Sequence, residues 1–406
     1  MMPTVTTVQT TSPQEKLNVH ESTRDVLPAS RAACDCNHLQ GAPASAFRFV
    51  AVAPGAEVQE EILSQHFALM TTHIGLIGGG NITNTHARAA RAIAGVEIAA
   101  IYGTNADKVT ALCHEYGATP YHDFDAFLGH RPMELVAIGS PSGLHASQGI
   151  AAARRGLHVL TEKPIDITTE RADALIEAAQ RAGVKLGVMF QDRVKPGIRR
   201  LKQSLDTGMI GKPLFIDARV KWYRPREYYA DSRWRGSFAL DGGGALINQA
   251  IHTVDLMLWL LGDVVRVQAH TATVLHAIET EDTAVAILEF SSGTLGIFQA
   301  TTAAYPGYPR RLEITGSEGT VILEQDRILA AHLQLPGAPV GEGIAPDENP
   351  SDSSPVVSDS RGHQALFEDF LQAIEQDRAP ICDGREGRRS IALVEAIYRA
   401  ARNSRP

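Results

Sequence analysis

The chain has 406 residues, of which 44% are hydrophobic and 21% charged, with a formal net charge of -8; this is the profile of a globular protein long enough for two domains. The acidic balance argues against nucleic-acid binding as the main role, which calls for a basic face, and no apolar run reaches the roughly 18 residues of a membrane helix. Cys34, Cys36, Cys113 and Cys382 form neither a metal-ligand spacing nor a disulfide framework, which points to a reduced, cytoplasmic protein without a membrane partner.

Residues 1–69 lack sustained periodicity and are rich in Ser, Thr, Pro and Ala. No charged segment precedes an apolar core, so a secretory signal is not supported. Cys34 and Cys36 flank Asp35 with His38 nearby, but Cys-x-Cys alone lacks the second ligand pair of a structural zinc site, and no metal is assigned. Met70 stands just before the first clear strand. The expectation is that the functional protein begins there and that residues 1–69 are a disordered or misassigned extension.

Residues 70–192 read as a dinucleotide-binding domain. His73–Ile77 is a short apolar strand; Gly78-Gly79-Gly80 follows, then a helix from Asn81 and Ile82 to Ala94, then a strand from Val96 to Tyr102. This is the setting in which a glycine turn binds a pyrophosphate: Gly78 permits the tight turn, Gly80 the close approach, and the helix N-terminus supplies N–H groups. The third fingerprint position is Thr83 rather than glycine. The second strand runs into Thr104 and Asn105, with no carboxylate before Asp107 for a ribose and no Arg for a 2′-phosphate, so the cofactor is read as NAD or NADP.

Helices at Ala106–Tyr116 and Phe124–Leu128 and a strand at Leu135–Ile138 lead to Ser140, and His145 opens the next helix. His145 reads either as a polar helix start or as a group beside the next strand end, which is the favoured reading. That strand is Leu157–Leu160, and it stops at Thr161-Glu162-Lys163-Pro164, where proline lacks the N–H to continue it. Lys163 is left at a carboxyl end, where open α/β sheets bind ligands. A helix over Thr169–Ala182 and a strand over Lys185–Phe190 complete a parallel sheet.

Residues 193–406 change pattern. After a helix at Pro196–Asp206, strands are expected over 214–223, 264–275, 283–290, 294–302, 311–315 and 320–323, with turns at 291–293 and 317–319. Such a sheet needs cover, and a homodimer or homotetramer through it is expected. Residues 335–360 read as a mobile loop, and helices at 364–377 and 387–403 close the chain. Between the first two strands lies Gly242-Gly243-Gly244, then one helix over Ala245–Leu261. On it Asn248, His252 and Asp255 fall on one face, opposite a core face of Leu246, Ile247, Val254, Leu258 and Leu261. A polar stripe on so apolar a helix needs partners or a cavity. The favoured reading is catalytic, with Asp255 as a possible helix anchor. Trp222, Tyr223, Arg224, Arg226, Tyr228, Tyr229 and Arg235 read as the approach for a sugar ring carrying an anionic group.

These residues resemble the Gfo/Idh/MocA family of NAD(P)-dependent oxidoreductases over about residues 72–403. The resemblance rests on Gly78-x-Gly80, Glu162-Lys163-Pro164, Trp234-Arg235, and Gly242-Gly243-Gly244 leading to Asn248, His252 and Asp255. It implies a Rossmann domain followed by an α+β domain with a large, mostly antiparallel open sheet, and hydride transfer at a secondary hydroxyl of a sugar, cyclitol or nucleotide sugar. By position Lys163 matches the lysine contacting nicotinamide and the reacting hydroxyl, His252 the acid/base histidine, and Trp234 and Arg235 the pair near the nicotinamide. Asn248 stands where Asp is frequent, and Ala250 where glycine is common. The residues assigned to the cofactor are Gly78, Gly80, Asn81, Ile82, Thr104, Ser140, His145, Glu162, Lys163, Trp234 and Arg235, and those assigned to the substrate are Lys163, Arg224, Asn248 and His252. Two alternatives stay open: glycoside cleavage on a retained NAD(P), and a cofactor-binding regulatory protein without turnover.

Overall fold

Two sheets organise the chain. The computed structural model describes residues 71–231, 234–334 and 359–404. The expectations for residues 1–69, including Cys34, Cys36 and His38, and for the loop up to residue 358 lie outside the described residues.

The first sheet holds β1 (Thr72–Ile77), β2 (Val96–Tyr102), β3 (Thr119–Tyr121), β4 (Leu135–Ile138), β5 (His158–Glu162) and β6 (Leu186–Met189). Its order is β3-β2-β1-β4-β5-β6 and every pairing is parallel, the Rossmann arrangement. The crossovers carry α1 (Asn81–Arg91), α2 (Ala106–Tyr116), α3 (Phe124–Leu128), α4 (His145–Arg154) and α5 (Thr169–Ala182). Local chemistry sets their ends: Asn105, Asp123 and Thr168 accept N-cap hydrogen bonds, and Gly117 and Gly183 take the left-handed conformation that stops α2 and α5. β4 and β6 are buried on both faces, which is why they are continuous apolar runs.

α6 (Pro196–Asp206) leads to the second sheet, built from β7 (Pro213–Lys221), β8 (Val264–Ala272), β9 (Thr283–Phe290), β10 (Leu295–Thr301), β11 (Arg311–Gly316), β12 (Gly319–Glu324) and β13 (Arg327–Leu333). Its order is β13-β12-β11-β7-β10-β9-β8. Pairing is antiparallel except between β7 and β10, which run parallel in the middle. The fold class expected from the sequence is therefore the one observed. Two strands were not anticipated: β3, which is three residues long with a proline at its centre, and β13.

After β7 come the short α7 (Arg226–Ala230) and, beyond the glycine triplet, a departure from expectation. Ala245–Gln249 forms a π-helical turn, and only from Ile251 does α8 (Ile251–Leu261) run as a regular helix. α8 is apolar almost all round and packs against β7. The last two helices serve both sheets. α9 (Arg361–Glu375) packs on α1, while α10 (Gly384–Asn403) packs on α5, α8 and β8. Between them, the Val188 N–H donates to the Cys382 carbonyl beside β6.

Candidate active site

One cleft of about 1470 Å³ runs along the carboxyl ends of the parallel strands and under the second sheet. That exceeds the ~300–1,000 Å³ of a typical single-ligand pocket and leaves room for two molecules. Its lining includes every residue assigned above to cofactor or substrate: Gly78, Gly80, Asn81, Ile82, Thr104, Ser140, His145, Glu162, Lys163, Arg224, Trp234, Arg235, Asn248 and His252. Lys108, Asp192 and Arg310, to which no role was given, also line it.

At one end lies the glycine turn. Gly78 has φ +130, and a Cβ there would sit 2.5 Å from the Thr83 hydroxyl and 2.8 Å from the Gly139 carbonyl. Thr83 is thus packed against the turn and leaves no room for a side chain at Gly78. Among the described residues nothing lies within 4 Å of a Cβ placed on Gly80. Gly80 is also the N-cap of α1 and brings no side-chain cap, so the helix offers its N–H groups to the cleft. This cradle fits a pyrophosphate. At the ribose position, Asn105 uses its side chain to cap α2 through the Lys108 N–H at 3.0 Å, and the Lys108 side chain faces the cleft instead.

Two of the expected contacts have other duties. Glu162 lines the cleft, but its Oε1 accepts from His86 Nε2 at 3.0 Å and from His363 Nε2 at 3.2 Å, and its Oε2 accepts from the Lys163 N–H at 3.1 Å. Burial alone would raise its pKa; the bonds from His363 and His86 outweigh that and hold the carboxyl well below the usual range. The carboxylate therefore clamps β5 to α1 and α9 and fixes the backbone of Lys163. His145 is buried with Nδ1 2.7 Å from the Pro164 carbonyl and Nε2 2.9 Å from the Ser140 carbonyl. Both ring nitrogens face main chain, and the ring ties the β4 and β5 loops together.

At the other end Lys163 and His252 share the cleft. Lys163 Nζ donates to the Asn248 carbonyl at 3.0 Å, one helical turn before His252. Burial lowers the Lys163 pKa, with Glu162, Asp241 and Asp192 partly restoring it. Burial also pushes His252 down to about 3, against the pull of Asp192. It is therefore a neutral imidazole at ordinary pH, the state that a proton acceptor requires.

The polar stripe of 248, 252 and 255 does not act as a unit. Asn248 Nδ2 donates to Asp241 Oδ1 at 2.6 Å, and Asn248 Oδ1 accepts from Gln249 at 3.0 Å, so the amide does not orient the His252 ring. Asp255 points into the core, where Arg193 binds it twice, at 2.6 and 2.8 Å. The π-turn offsets Asn248 from His252, because it adds a residue to the turn and breaks the regular helical spacing, while Asp255, in the regular helix with His252, is drawn to Arg193. The π-turn is shaped from outside by Glu281, which accepts the N–H groups of Gly244 at 3.1 Å and Leu246 at 2.9 Å. A Cβ on Gly244 would fall 1.8 Å from the Glu281 carbonyl.

Of the aromatic and arginine approach, Trp222, Arg224, Tyr228 and Arg235 line the cleft; Tyr223, Arg226 and Tyr229 do not. Tyr223 packs edge-on to Tyr305, and the Tyr229 hydroxyl meets Thr302 at 3.0 Å. Arg224 is buried between the Trp222 and Tyr228 rings and donates to Gln249 at 2.8 Å. Arg235 lies over Tyr228, 4.1 Å from the ring centre, beside Trp234.

Comparison with known proteins follows the same division. Residues 72–190 match the oxidoreductase family with an NAD-binding Rossmann fold, and residues 198–322 the GFO/IDH/MocA C-terminal domain. Among solved structures, the WlbA dehydrogenase of Bordetella pertussis, in complex with NADH and UDP-GlcNAcA, is 32% identical with a TM-score of 0.75; the match covers 83% of this chain and 97% of that one. Among curated relatives, a D-apiose dehydrogenase of Paraburkholderia graminis is 29% identical over 335 residues, 81% of this chain and 88% of the relative. An inositol 2-dehydrogenase of Rhizobium meliloti is 27% identical over 343 residues, 83% and 98% of the two chains.

Proposed function

The chain belongs to the GFO/IDH/MocA family and is an NAD(P)-dependent dehydrogenase of secondary hydroxyls on sugars, cyclitols or nucleotide sugars, and we propose that Lys163 and His252 carry its chemistry. The observation that carries this reading is a single cleft with a glycine cradle at one end and Lys163 beside His252 at the other.

When bound, the nicotinamide accepts or returns the hydride. Gly78, Gly80 and the first turn of α1, which Asn81 and Ile82 start, would hold the pyrophosphate, and Thr104 would serve the ribose. Ser140, His145, Trp234 and Arg235, which line the same cleft, would hold the nicotinamide end, and Glu162 acts through the backbone of Lys163. The neutral His252 ring takes the hydroxyl proton as hydride leaves the same carbon. The Lys163 ammonium donates to the reacting oxygen and steadies its developing negative charge. Arg224 and Asn248 border the substrate. Lys108 beside the ribose position supports acceptance of a 2′-phosphate, so both NAD and NADP are expected to serve. Residues 70–192 would then bind the dinucleotide and 193–406 the substrate, with the second sheet joining copies of the chain in the cytoplasm.

The test is a panel of polyols, aldoses, uronates and nucleotide sugars offered with NAD or NADP, reading formation of reduced nicotinamide. Lys163→Ala should lose turnover on the best substrate while binding of reduced cofactor, followed by its fluorescence, stays within a few-fold. Loss of cofactor binding with turnover per bound cofactor unchanged would remove Lys163 from the chemical step.

A further inference from the structure

We propose that Asp192, on the loop after β6, is the positioning carboxylate of His252, a part that the histidine's own helix does not supply. The inference rests on the reading of His252 as the proton acceptor. Both polar neighbours on the helix are engaged elsewhere: Asn248 with Asp241 and Gln249, and Asp255 with Arg193. His252 Nδ1 is buried and makes no hydrogen bond among the described residues. The carboxylate oxygen facing it is Asp192 Oδ2, 4.0 Å away. Catalytic hydrogen bonds are often this long before substrate binds and close in the complex.

Asp192 is itself held on two sides. Arg310 donates to Oδ2, and Lys195 Nζ lies 3.1 Å from Oδ1. The same two cations grip Asp326, Arg310 at 2.7 Å and Lys195 through its ammonium. Two acids and two bases thus form a closed, largely buried square contributed by three segments of the chain: Asp192 with Lys195, Arg310, and Asp326. Burial alone would raise the pKa of Asp192; Arg310 and Lys195 reverse that, so it stays a carboxylate. The other groups around His252 are Lys163 and Glu162 at the end of β5, Arg310 itself, and the edge of Phe190 at 5.7 Å. Lys163 and Arg310 oppose an imidazolium, and Glu162 is occupied by His86 and His363. Asp192 is thus the acid placed to favour the protonated ring.

The proton accounting is simple. A carboxylate opposite Nδ1 selects the tautomer with hydrogen on Nδ1, leaving the Nε2 lone pair for the substrate hydroxyl. In oxidation the hydroxyl proton goes to Nε2 and the hydride to the nicotinamide; in reduction both return. Asp192 keeps its charge throughout and stabilises the imidazolium.

The experiment compares wild-type enzyme with Asp192→Asn, Asp192→Glu, Arg310→Gln and His252→Ala. It measures kcat and KM in both directions, cofactor binding, melting temperature and the pH dependence of carbonyl reduction. Asp192→Asn should lower kcat about 10- to 100-fold, the range seen for partners that orient functional imidazoles at metal sites, with cofactor affinity held within a few-fold. Reduction needs the imidazolium, so its pH limb should move to lower pH in Asp192→Asn and to higher pH in Arg310→Gln; Asp192→Glu should recover part of kcat. Wild-type kcat and pH limb in Asp192→Asn would overturn the inference, as would limbs moving the same way in both charge variants, which marks a common structural loss. If His252→Ala turns over normally, the reading of His252 falls; if it is slow while Asp192→Asn is normal, only this inference falls.

Discussion

At the scale of single residues, the site is a set of buried charges whose states are fixed by neighbours. If His252 is the proton acceptor, His252→Ala should slow hydride transfer by about 10²–10⁴, the usual contribution of a general base; single-turnover kinetics with the preferred substrate measures this. Asp241 gives a pH signature of folding. Burial raises it to about 7, despite hydrogen bonds from Gly236 and Asn248 and the charge of Lys163. The folded protein thus holds a proton that the unfolded chain releases near the ordinary carboxyl pKa of about 3.9. Stability conferred by that proton is fully present below pH ~4 and is lost as pH rises to about 7, at up to about 1.4 kcal/mol per pH unit. Asp241→Asn should flatten this decline in urea melts from pH 4 to 7; an unchanged slope would mean the carboxyl titrates normally. Lys163 and His252 could be singled out in the sequence because each has a local cue, a proline-stopped strand end and a polar position on an apolar helix. Asp192 has none: it meets Arg310 from 118 positions away, and only the folded chain makes that pair visible.

Among elements, the π-turn before α8 shows what periodicity reads and what it misses. The apolar face Leu246, Ile247, Val254, Leu258 and Leu261 is buried as expected. The spacing rule nevertheless misplaced Asn248, because 3.6-residue periodicity fails across a turn with an extra residue, and it could not show that Arg193 holds Asp255 in the core. The signal that the helix begins irregularly is Gly244, whose conformation leaves no room for a Cβ against the Glu281 carbonyl. Gly244→Ala must push backbone from backbone and should cost at least the ~1–3 kcal/mol of core overpacking, read from urea denaturation. Asp255, by contrast, anchors. Its pairing with Arg193 is buried at both ends, and Asp255→Ala leaves a buried guanidinium with Glu386 as its acidic partner among the described residues. The expected loss is about 3–5 kcal/mol of stability, with turnover of the remaining folded enzyme within a few-fold; a catalytic loss at unchanged stability would return Asp255 to the site. β13 went unread for a different reason: its Ala-rich sequence has no strand alternation, and the turn before it uses Gln325 at φ 53 rather than a glycine.

For the whole molecule, the second sheet poses the remaining physical question. Its inner face is core: Ala284, Ala286, Leu288 and Phe290 of β9 are all buried. Its outer face carries Ile287 (55% exposed), Leu295 (51%), Val285 (46%) and Phe215 (38%). The register gathers them: Ile287 sits opposite Ile297 of β10, and Leu295 opposite Phe215 of β7. Scattered exposed apolar residues need no explanation, but a contiguous stripe across β7, β9 and β10 does. A second copy of the chain offers the same stripe, and a twofold interface uses one patch on both partners. Each Ile or Val buried there contributes about 1.5–3 kcal/mol, counted twice by the symmetry. A charge at its centre is likewise entered twice and desolvated twice. Light scattering should therefore give a dimer or tetramer for the wild type and a monomer for Ile287→Glu. The melting temperature of the variant should change only by the lost association, because position 287 points away from both core and cleft. A wild-type monomer at micromolar concentration, or an Ile287→Glu oligomer of unchanged size, would mean that this face meets solvent or a different partner, and that the copies of the chain are held elsewhere or not at all.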